Sequence, residues 1–223
     1  MNHGGLSRRN GMLALALGVC MTTGLTSGRE NARPIAHLSF DDEKPEAAPG
    51  LPPGRLQGAT RTEGHQGKAL AFEDWSTRDY LKPNPAQAAR LVIPHDARLN
   101  PALPFSLSAW IYPTADPIYY GGIVEKGQGF GGSYRLLLLR GLKVAGSAGA
   151  KNTTVRSAQP LTLNAWHELK LVAAAGTLTL YVDGQKAGEA ALPEGSRPAA
   201  SDDFVIGDRF TGRIDEVILA AGP

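Results

Sequence analysis

Apolar and polar positions alternate most regularly between Leu163 and Gly188, LNAWHELKLVAAAGTLTLYVDGQKAG. Leu169, Leu171 and Ala173 fall on alternate positions, and Leu178, Leu180 and Val182 do the same. Successive side chains of a strand point to opposite faces, so each run offers one apolar and one polar face. Ala174-Ala175-Gly176 leaves room only for a tight connection, which predicts an antiparallel pair over Glu168–Ala173 and Thr177–Asp183. Asp183-Gly184 supplies the positive φ angles of a two-residue hairpin turn and predicts a return through Gln185–Ala187.

The same alternation predicts a first strand at Ala36–Phe40, ending at Asp41-Asp42-Glu43, and further strands at Lys68–Phe72, Arg90–Pro94 and Phe105–Tyr112. Shorter strands are expected at Ile123–Lys126, Tyr134–Arg140, Leu142–Gly146 and Thr154–Ser157, and Phe204–Ile206 and Arg213–Ala220 finish the chain. Lys44–Gly67, broken by Pro52-Pro53-Gly54, reads as a long surface connection with room for one short strand. Glu73–Ala89 reads as a longer irregular piece. Ile214 and Val217 are three apart where alternation requires an even step, which predicts a bulge that re-aims Asp215. With no internal repeat and no helical crossover, the fold class is all-β, an antiparallel two-sheet sandwich.

Composition adds limits. The formal net charge is +2 without a block of like charges, so no nucleic-acid surface is indicated. Arg8-Arg9 precede the apolar run Met12–Val19, followed by small and polar residues up to Gly28. That order predicts a signal or targeting segment over residues 1–28 and an exported protein, secreted, periplasmic or at the cell surface. The run is too short to span a bilayer. Ser7-Arg8-Arg9 also fits a twin-arginine signal, although Gly11 stands where a large apolar residue is usual. Cys20 is the single cysteine, so no intramolecular disulfide forms and the body from residue 32 to 223 must be held by its core.

The segments AHLSFDDE, GKALAF, RLVIPHDARLN, FSLSAWIYP, GGIVEKG, YRLLL, NAWHELKLV, GTLTLYVDGQ, FVIG and FTGRIDEVIL, in this order, resemble the LamG-like jelly-roll family of the concanavalin A-like lectin/glucanase superfamily. The resemblance runs from Ile35 to Leu219 and implies a jelly-roll sandwich. Two segments compete for the family's strand after Phe72, namely Asp79-Tyr80-Leu81 and Arg90-Leu91-Val92. The family's turn is here a longer loop. Leu17-Gly18-Val19-Cys20 resembles a bacterial lipoprotein box, with Val19 departing from the small residue preferred there, so Cys20 is a candidate lipid anchor.

Candidate site residues carry two readings each. Trp75 sits in a polar, proline-bounded segment beside Arg78, Asp79 and Tyr80. A sugar stacks its C–H face on such a ring while arginine and aspartate take its hydroxyls; alternatively Trp75 pins its own loop to the sandwich. Tyr119 and Tyr120, before Gly121-Gly122, form a second candidate platform. Trp110 and Trp166 are assigned to the core or its edge. The resemblance brings the terminal strands together, so Asp41, Asp42 and Asp215 could meet around a structural calcium ion; alternatively Asp215 caps backbone donors at the bulge.

Glucanases of the superfamily carry an E-x-D-x-x-E run or a near variant, because one carboxylate must attack while the other donates a proton. No such run occurs, the histidines are too scattered for a metal triad, and no G-x-S-x-G is present. The reading is therefore of an exported binding module rather than an enzyme, for a glycan or an extracellular or cell-surface partner. The alternatives are a glycanase or polysaccharide lyase of the same superfamily and a structural component of a cell-surface assembly.

Overall fold

The computed structural model describes Met1 and residues 33–42, 50–72, 89–127, 133–149 and 151–223. They form two antiparallel sheets packed face to face. Sheet I runs in the order β13 (Gln185–Ala191), β12 (Thr177–Val182), β11 (His167–Ala174), β6 (Phe105–Pro113), β15 (Gly212–Ala221), β4 (Lys68–Phe72) and β3 (Thr60–Glu63). β1 (Arg33–Leu38) also pairs with β15. Sheet II runs in the order β10 (Thr153–Arg156), β9 (Lys143–Gly149), β8 (Ser133–Leu139), β7 (Tyr120–Lys126), β14 (Phe204–Ile206), β5 (Arg90–Ile93) and β2 (Arg55–Gln57).

The alternation of the sequence sets the two layers. Phe105, Leu107, Ala109 and Ile111 of β6, Leu169 and Leu171 of β11, and Leu178 and Leu180 of β12 are fully buried. They meet Val124, Tyr134, Leu136, Leu138 and Phe204 of sheet II in one continuous core. The layers approach closely at Gly146, where a Cβ would stand 2.4 Å from Leu171 Cδ1. The hairpins form as their turn residues dictate: Asp183 and Gly184 take φ of +50° and +72°, the left-handed pair of a tight two-residue turn.

Two expectations change. Lys44–Gly67 contains two strands, β2 and β3, not one. Both lie at sheet edges, where polar TRTE pairs with β4 without burying an apolar face, so periodicity carried no signal. Arg90–Ile93 forms a strand as expected, while residues 79–81 lie outside the described residues. Trp110 is not in the core: Leu107, Ala109 and Ile111 take the inner phase of β6, which turns Ser108, Trp110 and Tyr112 outward.

β15 is served along one side by two strands end to end. β4 pairs with Gly212–Ile214 and β1 pairs with Val217–Ala221. The register against β6 slips between Asp215 and Ile218, and Glu216 takes φ +48°, so the expected bulge sits where the two strands meet.

Candidate functional site

The outer face of sheet II concentrates charged side chains around β7. Tyr120, Gly122 and Glu125 face outward there, a bulge between Gly122 and Val124 keeping Glu125 on the outer side. Glu125 stands opposite Arg135 of β8 and Val205 of β14. Gly122 lets the carboxylate fold back over the strand, since a Cβ there would lie 2.1 Å from Glu125 Oε2. The segment after β14 closes the site from above. Gly122 N donates to Asp208 O at 2.7 Å, and a Cβ on Gly121 would meet Arg209 O at 3.1 Å. Both glycines are therefore required by close backbone approach.

Asp208 and Arg209 arrive on that segment. The Asp208 carboxylate lies 3.9 Å from Arg90 Nη1 and 3.6 Å from Arg209 Nε. Arg209 donates from Nη1 to the Tyr120 hydroxyl and holds its guanidinium 5.1 Å from the centre of the Tyr120 ring. Arg135 donates to neutral partners, Asn152 Oδ1 at 3.0 Å and Ser147 Oγ at 3.4 Å. Burial pushes the Glu125 carboxyl up to about 7 and the negative charge of Asp208 pushes the same way, while Arg135 and Arg209 pull it back. Alongside lies an open groove of about 560 Å³, lined by Arg55, Gln57, Arg90, Val92, Asp202 and Asp203 among others. Arg55 makes no ion pair among the described residues. Four guanidinium groups, of Arg55, Arg90, Arg135 and Arg209, and four carboxyl groups, of Glu125, Asp202, Asp203 and Asp208, thus meet on this face and its groove.

A laminin-G family model, described as concanavalin A-like lectin/glucanases superfamily, matches residues 86–220. The chain belongs to this superfamily. None of the curated proteins matches it in sequence. Among solved structures it is similar to domain 4 of AbnA, a GH43 extracellular arabinanase from Geobacillus stearothermophilus, in complex with arabinotriose. The TM-score is 0.62 at 16% identity, covering 86% of this chain and 93% of that one. It is similar to the binding domain of Paraclostridial Mosquitocidal Protein 1, with TM-score 0.64, 13% identity and coverage of 84% and 48%. A third likeness is to botulinum neurotoxin type C, in a structure reporting that cell entry depends on interaction with two ganglioside molecules. Its TM-score is 0.63 at 9% identity, covering 84% of this chain and 47% of that one. The chain spans about half the length of these two toxin structures. At such identities the likeness concerns the fold.

On this superfamily scaffold the expected site residues separate. Tyr119, 57% exposed, and Tyr120 stand at the corner of the charged face described above. Trp75, Arg78, Asp79, Tyr80 and Cys20 lie outside the described residues. Asp41 and Asp215 come to one place, the β3–β4 turn Gly64–Gly67, and each holds its backbone. Asp215 Oδ2 accepts from Gln66 N at 3.0 Å and Oδ1 from Glu216 N at 2.8 Å, while Asp41 Oδ1 accepts from Lys68 N at 2.8 Å. Asp215 is fully buried, and its pKa is raised by that burial, with the N–H groups of Gln66, Glu216 and His65 pulling back. Asp42 is exposed. Among the described residues no group of three acidic, histidine or cysteine side chains is arranged to hold a metal ion. Calcium takes six to eight oxygens, and here both Asp215 oxygens and one of Asp41 already accept from backbone N–H groups.

The outward Trp110 lies beside the same turn. His65 stacks on it at 3.6 Å and 8°, Trp166 meets His65 edge-on at 5.9 Å, and Tyr112 packs on Trp166 at 5.5 Å. These rings cover one another and pin the turn to sheet I. Glu125, Asp208, Arg209, Arg90 and Arg135 were not singled out from the sequence. The available signal was a charged pair, Glu125-Lys126, inside the otherwise apolar GGIVEKG strand.

Proposed function

We propose that the protein is an exported, non-catalytic module that binds glycan on the outer face of sheet II, with acidic polysaccharide as the preferred class. The observation that carries this reading is the Tyr120–Arg209–Asp208 arrangement beside the groove. An aromatic ring and a guanidinium converge there, the buried Asp208 carboxylate holding the guanidinium, and such a pair takes the C–H face and the hydroxyls of a sugar. Membership of a lectin/glucanases superfamily supports a sugar as the ligand. The arginines Arg55 and Arg90 in the groove wall support one that carries carboxylate or sulfate groups, since the planar fork of arginine matches such anions bidentately. Trp75, Arg78, Asp79 and Tyr80 lie outside the described residues, and their part in binding rests on the sequence alone. Export rests on Arg8-Arg9 and the apolar run Met12–Val19. No helix among the described residues is long and apolar enough to cross a membrane.

The test is calorimetry of the full chain against oligogalacturonides, sulfated oligosaccharides and neutral arabino-oligosaccharides. Arg209→Ala should weaken binding by roughly 1–3 kcal/mol, the scale of a lost charge-assisted hydrogen bond. Absence of binding to every sugar overturns the reading. Binding to neutral sugars alone overturns the acidic class and keeps the lectin. The acid pair Glu125 and Asp208 is the one observation that favours a hydrolase, because a carboxyl with a pKa near 7 suits a general acid. Both carboxylates are nearly fully buried, which argues against their reaching a glycosidic oxygen. Reducing-sugar release that Glu125→Gln abolishes would decide for the enzyme.

A further inference from the structure

Lys126 follows Glu125 and points the other way. Its neighbours across β7 are Phe204 and Tyr134, both core residues, and its side chain is fully buried. Among the described residues no carboxylate forms an ion pair with it. The ammonium has three N–H groups and finds three acceptors: His95 Nδ1 at 3.0 Å, Ala200 O at 2.9 Å and Asp202 O. Burial draws its pKa down, and the charges of Asp202 and Asp203 draw it back. The acceptors belong to two separate segments. His95 leaves β5, and Ala200–Asp203 leads into β14. Two further bonds tie them together, from Asn100 Nδ2 to Ala200 O at 3.1 Å and from His95 N to Asp203 Oδ1 at 3.0 Å.

Those segments frame the groove. Asp202 and Asp203 line it, β5 contributes Arg90 and Val92, and β14 carries Val205 before running into Asp208 and Arg209. We propose that Lys126 is the positioning residue of this site, its ammonium acting as a built-in cation. It gathers carbonyl oxygens from the chain before β14 and the imidazole after β5, and so fixes the spacing between the Asp202–Asp203 wall and Arg90. The proposal rests on the glycan-binding reading only where affinity is the readout. A residue that merely added stability would be replaceable by any filler of the same volume. A positioning cation would not.

Lys126→Ala deletes Cγ, Cδ, Cε and Nζ, the heavy atoms of n-propylammonium. In the full chain, this variant should bind oligogalacturonide at least about tenfold more weakly. Backbone amides of Ala200–Asp203 should exchange faster with deuterium. Millimolar n-propylammonium should restore both, and n-propanol neither. Should the alanine variant not fold, Lys126→Met keeps the stem without the charge and should show the same loss of affinity and of protection over Ala200–Asp203. Wild-type affinity and protection in a folded variant, or rescue by propanol as good as by propylammonium, overturns the proposal. If the wild type binds no sugar, the glycan reading fails and the exchange measurement alone decides: unchanged protection in the variant refutes Lys126, and ammonium-specific rescue upholds it.

Discussion

Replacing Glu125 by glutamine should make the protein more stable above about pH 4.5, with the full gain only at neutral to alkaline pH. The carboxyl is 5% exposed, stands beside Asp208, and has its pKa raised from 4.5 to about 7. The folded state therefore holds this proton more tightly than the unfolded chain does. Below about pH 4.5 the group is protonated in both states and costs the fold nothing. As pH rises, the unfolded chain ionises first, so the stability the proton provided is lost progressively and the loss is complete above pH 7. Each unit of displacement corresponds to about 1.4 kcal/mol, so ionisation of Glu125 costs about 3 kcal/mol at pH 8. Glu125→Gln keeps the volume and removes the charge, while its amide still has to find partners. A gain of about 1–3 kcal/mol at pH 8 is expected, or several degrees in Tm for a domain of this size. At pH 4 the variant and the wild type should melt together. Urea unfolding at pH 4, 6 and 8 reads the difference directly. A variant that is less stable at pH 8 would refute the reasoning, because it would mean that the ionised carboxylate holds a donor worth more than its desolvation. A gain of equal size at all three pH values would refute it too, since the effect would then not be ionisation.

Leu180→Ala, in the middle of the core, should cost about 2–5 kcal/mol, whereas Lys170→Ala on the outer face of β11 should cost roughly 0.5 kcal/mol or less. Equal costs in chemical denaturation would invert the two faces. Asp215→Asn places an amide donor against the N–H of Gln66 or of Glu216 and should destabilise by roughly 1–3 kcal/mol. Calcium should leave the Tm of the wild type unmoved, and a rise that Asp215→Asn abolishes would assign the acids to a metal. Trp75→Ala should weaken glycan affinity by roughly 1–3 kcal/mol with little change in Tm, while unfolding of that variant would make Trp75 a loop anchor. Intact-mass measurement on the native envelope fraction tests export: a retained Met1 refutes it, and a diacylglyceryl group on Cys20 makes the protein a lipoprotein.

Strands that bury one face announced themselves in the sequence, because Leu169, Leu171, Leu178 and Leu180 must all reach one core. The bulge at Asp215 was legible for the same reason, as Ile214 and Val217 both have to point inward across it. β2 and β3 bury almost nothing and left no pattern. Trp110 misled because a large ring in an alternating strand suggests the core, yet the phase set by Ala109 and Ile111 turns it outward. The charged face of sheet II was illegible for a different reason. Its residues come from β5, β7, β8 and the end of β14, strands whose adjacency is set by the topology of the sandwich and not by their order along the chain. Arg90, Glu125 and Asp208 each look like an isolated surface charge until that strand order is known.

Of the described strands the first and the last lie side by side, with Arg33 opposite Ala221 across the β1–β15 pair. Facing residues in such a pair are only about 5 Å apart, so the body of the protein leaves and re-enters at nearly one point. A few glycines would therefore suffice to join residue 221 to residue 33 and close the chain into a ring. New ends could then be opened at an exposed turn such as Ala175-Gly176 without disturbing the groove on the other sheet. The same geometry lets the whole sandwich be spliced into a loop of a host protein as a cassette, because the host would see two ends no farther apart than those of an ordinary hairpin.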